Sequence, residues 1–162
     1  MNLFKKLKKK PNELNLHSVR NGLFVPISEV KDDVFSQKML GDGFAIRPNT
    51  KEVYSPISGV VTSVFPTKHA IGLKSETGVE VLVHMGIDTV ELQGKPFEVF
   101  VKEGDTITPS TKIADMDLAM LVESNKQSDI LVIATSGEAI DFQMTSSVEV
   151  SANDVVGNII FN

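Results

Sequence analysis

An all-β fold, an antiparallel sandwich or barrel with one or two short helical turns, is what this sequence predicts, and three observations carry the prediction. From Leu14 onward the chain runs in short apolar stretches rich in Val, Ile and Phe. Turn-forming strings (RNG, GDG, RPNT, SPISG, SETG, KEGD and TSG) separate them. The stretch VEVLVHM alternates, with Val79, Val81, Val83 and Met85 on one face and Glu80, Leu82 and His84 on the other. A strand with one buried face reads this way, and the valine face is the expected core. At 162 residues and 41% hydrophobic, the chain has the size and apolar content of one domain with a full core.

The elements follow in order. Residues 1–11 form a basic amphipathic tail: Leu3, Phe4 and Leu7 sit at helical spacing among Lys5, Lys6, Lys8, Lys9 and Lys10, and Pro11 stops any helix. Such a tail either solubilises the terminus or touches an anionic membrane surface through residues 1–10, at about 1 kcal/mol per lysine. Residues 12–162 are read as a single domain. Within it GLFVPISEV followed by GDGFAIRP, and GVVTSVFPTKHAIGLKSETG, look like copies of one β unit. DMDLAMLVESNK is the helical segment, with Leu118, Leu121 and Val122 expected inward.

The net charge of −5 conceals an asymmetry, because setting aside the five tail lysines leaves −10 for the rest. A body that acidic lacks the basic footprint of a nucleic-acid binder. Cysteine is absent, which removes disulfides, thiolate nucleophiles and cysteine-ligated metals and fits a reducing cytoplasm. No apolar run approaches the ~20 residues of a membrane span, and no secretory signal opens the chain.

The chemistry lies in HAIGLKSETGVEVLVHM. A two-residue turn at Glu76 and Thr77 sets His69 opposite His84, with Cβ atoms roughly 4.5–5.5 Å apart and both rings on one face beside Leu82 and Ile71. A loop one residue longer or shorter breaks that register. Paired imidazoles suit three chemistries: a zinc site, nucleophilic catalysis in which one ring carries a group and the other steadies it, or acid/base catalysis. Zinc needs further ligands; His17 is the remaining histidine and no HExxH pattern occurs. The residues do not separate the other two.

VEVLVHMGIDTVEL, with PTKHA upstream and MLGDGFAIRP further back, resembles the glucose-type IIA components (glucose, sucrose, β-glucoside) of the sugar phosphotransferase system, from about Phe35 to the C-terminus. The resemblance implies a barrel-sandwich hybrid with a duplicated motif, acting as a phosphocarrier. His84 would take a phosphoryl group from HPr on the ring nitrogen far from Cβ and pass it to a cysteine of a sugar-specific IIB domain. His69 would steady the phosphate and Thr67 would orient His69. Val34, Phe35, Met39, Leu40, Phe65, Leu82 and Val90 match the family's apolar docking rim, with Phe35 and Leu82 expected to be exposed. Asp88 and Glu138 match acidic positions that ring the site, where negative charge either repels a bound phosphate toward onward transfer or, the preferred reading, attracts the basic surface of HPr.

The same resemblance implies no cofactor beyond the phosphohistidine, although relatives can complete a zinc site at the two histidines with a partner's carboxylate. A monomer is the default expectation, the cytoplasm follows from the absence of cysteine, and the basic start at Met1 favours a free-standing chain over one cut from a fused transporter. The chain departs from the family before Phe35, where LHSVRNG replaces an Ala-Pro-Leu-Ser-Gly type turn. His17 matches no family site and is read as a structural or surface residue. VKEGDTI is shared with lipoyl and biotinyl carriers, but Lys74 lacks the neighbours of a modified lysine. Two rivals remain at this stage: a zinc metallopeptidase of the same hybrid fold with His69 and His84 as ligands, and a regulatory binding module without carrier activity.

Overall fold

The computed structural model describes residues 12–144 and 148–161. The basic tail, and with it the expected membrane contact, lies outside them. The strands are β1 (Glu13–His17), β2 (Gly22–Pro26), β3 (Asp42–Pro48), β4 (Glu52–Tyr54), β5 (Gly59–Val64), β6 (Ala70–Lys74), β7 (Glu80–Ile87), β8 (Phe97–Val99), β9 (Thr106–Ile107), β10 (Lys112–Met116), β11 (Gln127–Ala134), β12 (Ile140–Phe142), β13 (Val148–Val150) and β14 (Val155–Ile160). Eight of them form one antiparallel sheet in the order β13-β2-β3-β11-β7-β6-β5-β9. Two three-stranded sheets, β1-β14-β12 and β4-β10-β8, complete the architecture.

The expected duplication is present and its copies interleave. In the large sheet β3-β2-β13 lies to one side of the central β11-β7 pair and β6-β5-β9 to the other. Each small sheet repeats the same middle-strand arrangement. Local detail agrees: Ser18 Oγ donates to the Arg20 carbonyl at 2.7 Å, and Ser55 Oγ donates to the Ile57 carbonyl at 2.6 Å. Each motif is followed by a glycine, Gly22 or Gly59, where a Cβ would collide with the carbonyl of Arg47 or Lys74 across the strand pair. LHSVRNG is therefore the first copy of the turn that YSPISG makes in the second. The copies differ at their centres, where fully buried Ile57 answers to fully buried Arg20. Burial lowers the Arg20 guanidinium to about 10, and Glu52 and Asp115 offset part of that effect.

The inner face of the large sheet packs against the small sheets, and Val79, Val81, Val83 and Met85 lie in that core as the alternation predicts. A second, smaller cluster covers the opposite face: Val25, Ile27, Val30, Phe35, Ala45, Ile87, Leu131 and Ile133. Its lid is the segment after β2, with a 3-10 turn at Ile27–Glu29 and the one-turn helix α1 (Asp33–Ser36), whose cap Asp32 accepts the N–H of Val34 at 3.0 Å and of Phe35 at 3.3 Å. The predicted helical segment is α2 (Leu118–Glu123), capped by Asp117. Leu118 and Leu121 pack inward, but Val122 is 76% exposed, since it falls about 100° further round the helix.

The hairpin register differs from the expectation by one residue. Ala70, not His69, pairs with His84, and Ile71 pairs with Val83 in the main core. The loop holds three residues, Glu76, Thr77 and Gly78, between Ser75 and Val79, whose backbones bond at 2.9 Å. Gly78 takes the left-handed conformation (φ +94) that such a loop requires at its last position. His17 is structural, as expected: Nδ1–H donates to the Asn153 carbonyl at 2.9 Å.

Candidate functional site

The two histidines meet in spite of the register. β6 begins at Ala70, so His69 stands one residue before the strand and escapes its alternation. The turn that precedes it has Lys68 in the left-handed conformation (φ +61), and the His69 carbonyl accepts the N–H of Met85 at 2.7 Å. The ring centroids of His69 and His84 end 5.0 Å apart at 78°. His69 is 7% exposed, while His84 is half-buried at the end of β7 nearest the turn that follows it.

Each ring is tied at Nδ1. The Nδ1–H of His84 donates to the Gly86 carbonyl at 2.8 Å, which leaves Nε2 with a free lone pair. Thr67 Oγ1 lies 2.7 Å from His69 Nδ1. With the hydroxyl donating, the proton of His69 sits on Nε2. In that arrangement His84 offers a lone pair at Nε2 and His69 an N–H. The aromatic walls are Phe35, edge-on to His84 at 5.0 Å, and Phe65, edge-on to His69 at 5.4 Å.

Burial depresses the pKa of His84 to about 4; the nearby His69 adds to the depression, and the Gly86 hydrogen bond, Asp32 and Asp88 oppose it. Burial also lowers His69. Both rings are therefore neutral at pH 7. A base whose folded pKa lies below its unfolded value binds fewer protons when folded, so its unfavourable contribution to stability appears as pH falls through the unfolded value near 6.5 and is complete below the folded one. We expect the unfolding free energy to decline between pH 6.5 and 4 and the decline to be shallower in His84→Gln. Urea titrations at pH 7 and pH 5 check this.

The apolar residues divide. Val34, Leu40, Phe65, Val90 and above all Met39, at 68%, are exposed on the α1 segment and on the turns beside the histidines. Leu82 is half-buried. Phe35 corrects the expectation of exposure: it is 8% exposed, part of the second cluster with its ring against His84. Asp88 lies in the turn after β7, where its charge reaches His84. Glu138 does not ring the histidines. It accepts from Ser136 Oγ, which in turn accepts the N–H of Glu80, four residues along β7 from His84 and roughly 13 Å away at strand rise. Two contributors escaped the sequence reading. Asp32 adds its charge to the site from the cap of a helix too short to show periodicity, and Gly86 contributes a carbonyl, which side-chain reasoning does not see.

A family model for the phosphoenolpyruvate-dependent sugar phosphotransferase system, EIIA 1, matches residues 14–140. The chain belongs to this family. The match reaches back to Leu14, so the likeness is longer than the stretch from Phe35, and LHSVRNG lies inside it. The glucose-specific EIIA component of Staphylococcus epidermidis is 44% identical over 84% of this chain and 82% of its own length. The glucose-specific EIICBA component of Streptococcus pneumoniae is 46% identical over 77% of this chain, which spans 17% of that longer protein. The glucose permease IIA of Mycoplasma capricolum superposes with a TM-score of 0.82 at 33% identity, over 98% of this chain and 99% of that one. This EIIA domain is a phosphocarrier and phosphotransferase component of the sugar phosphotransferase system, with the hybrid β fold the sequence predicts. The peptidase reading has no support in these relatives, and no group of three or more potential metal ligands occurs among the described residues. No helix of the described residues is long and apolar enough to cross a membrane.

Proposed function

We propose that His84 Nε2 is the atom that carries the phosphoryl group, received from the phosphohistidine of HPr and given to a cysteine of a sugar-specific IIB domain. The observation that supports this most strongly is the paired tethering: Gly86 holds Nδ1–H of His84 and Thr67 holds Nδ1 of His69, which leaves Nε2 bare on one ring and protonated on the other, with the ring centroids 5.0 Å apart. In uptake the His84 Nε2–P bond forms as the donor's N–P bond breaks, with the two nitrogens in line. The phosphoryl transition state is stabilised by position and charge, and the His69 N–H supplies a donor to an equatorial oxygen. Donation reverses the roles, with the cysteine sulfur taking phosphorus and His84 leaving as a neutral imidazole.

The exposed rim of Val34, Met39, Leu40, Phe65 and Val90 suits reversible docking that excludes water, with half-buried Leu82 inside it. Asp32 and Asp88 steer a basic partner surface, as for HPr. In this reading the protein works in the cytoplasm, and the lysines of residues 1–10 draw it to the inner membrane surface where IIB resides. Incubation with phosphoenolpyruvate, enzyme I and HPr should add a single acid-labile phosphoryl group by intact mass. No gain, or an acid-stable one, contradicts the reading.

A further inference from the structure

Both imidazoles depend on the backbone around Met85 and Gly86, and a buried hydroxyl fixes it. The N–H of Met85 donates to the His69 carbonyl at 2.7 Å. The carbonyl of Met85 accepts from Thr89 Oγ1 at 2.6 Å. The next carbonyl, that of Gly86, is the acceptor for His84 Nδ1–H. Thr89 is 0% exposed, so no solvent can replace its hydroxyl. Its methyl lies so close to Gly86 that a Cβ there would strike it, while the Gln127 carbonyl would crowd the same position from another side. Gly86 (φ +80) and Asp88 (φ +61) are both left-handed, so the turn adopts conformations that its backbone does not favour at Asp88 and needs an external hold.

We propose that Thr89 is a positioning residue for phosphoryl transfer, selecting the nucleophilic tautomer of His84 by pinning the Met85–Gly86 peptide. This rests on the reading of His84 as the phosphoryl acceptor. The hydroxyl fixes the direction of the Met85 carbonyl, and the methyl of the same side chain, packed against Gly86, limits the rotation of that glycine and so where the next carbonyl, that of Gly86, points. Without the hydroxyl the Met85 carbonyl is buried and unpaired, the peptide turns to find a donor, and the Gly86 carbonyl leaves His84 Nδ1. The neutral ring then places its proton on either nitrogen, and a ring protonated at Nε2 has no lone pair on that nitrogen to offer phosphorus.

The test uses 15N-histidine spectra of the full unphosphorylated chain, beside uptake rates from phospho-HPr. Wild type and Thr89→Ser, which keeps the hydroxyl, should show the Nδ1–H tautomer at His84 and uptake within about twofold of each other. Thr89→Val, equal in shape but without the hydroxyl, should show mixed tautomers and uptake slower by about tenfold to a hundredfold, the range of a small misplacement at a reacting centre. A merely structural role would lower the melting temperature of the valine variant and leave the tautomer intact, and that result overturns the proposal. So does a serine variant that loses the tautomer, which decides the matter even when the valine variant does not fold. Absence of uptake in wild type would defeat the reading of His84, while the tautomer comparison would still judge Thr89.

Discussion

Replacing His84 with glutamine is expected to abolish phosphoryl uptake while leaving the fold and the docking surface intact. The amide nitrogen of glutamine has its lone pair delocalised into the carbonyl and forms no N–P bond, so the loss is complete. His84 is half-buried and neutral at pH 7, and glutamine is of similar size, so the change in stability at that pH should stay within about 1 kcal/mol. The exposed rim residues lie on separate segments, Val34, Met39 and Leu40 beside α1, Phe65 before His69 and Val90 after β7, and none of them depends on the ring. The variant should therefore still bind HPr and act as a competitive inhibitor of the wild-type reaction. Intact mass after incubation with the upstream components, and titration of the variant into a wild-type assay, measure the two halves. Phosphorylation of the variant sinks the assignment of His84.

The second large effect belongs to His69. His69→Ala removes the N–H donor and keeps His84 with its Gly86 tether, so uptake from HPr should persist. Donation to IIB should fall by about 10²–10³, the cost of removing one donor aimed at a developing anion. The two transfers differ in charge. On the proposed route the phosphoryl group passes from HPr between two neutral imidazoles, whereas toward IIB an anionic thiolate approaches an anionic phosphoryl group, and a His69 N–H would offset more charge there. Single-turnover measurements in each direction separate the cases. Equal losses in both would show that His69 acts on the nucleophile and not on the transferred group.

Alternation in VEVLVHM placed Val81, Val83 and Met85 in the core and His84 off it, because a half-buried strand carries its two faces in alternate letters. Two string likenesses, GLFVPISEV and GVVTSVFPT, likewise announced the duplication, since each copy builds the same turn and strand. The interleaving of the copies did not show, because strand order depends on contacts between residues far apart in sequence. Register failed at SETG for a nearby reason: two- and three-residue loops share the same letters, and the left-handed Gly78 is what selects the longer one. The histidines meet because His69 lies outside the strand, a boundary that no periodicity marks. Phe35 looked like rim and is wall, since hydrophobicity alone does not say which side of a one-turn helix meets the sheet. Asp32 and the Gly86 carbonyl act through a cap and a peptide oxygen, and both depend on the folded turn.

The central claim is that the carrier atom is Nε2 of His84, kept nucleophilic by a proton held on Nδ1. Heteronuclear 15N–31P spectra of the phosphorylated, 15N-histidine-labelled chain test it directly. The account predicts one phosphorus coupled to Nε2 of His84, with Nδ1 still protonated and bonded to Gly86. Coupling to Nδ1 of His84, or to either nitrogen of His69, would contradict it.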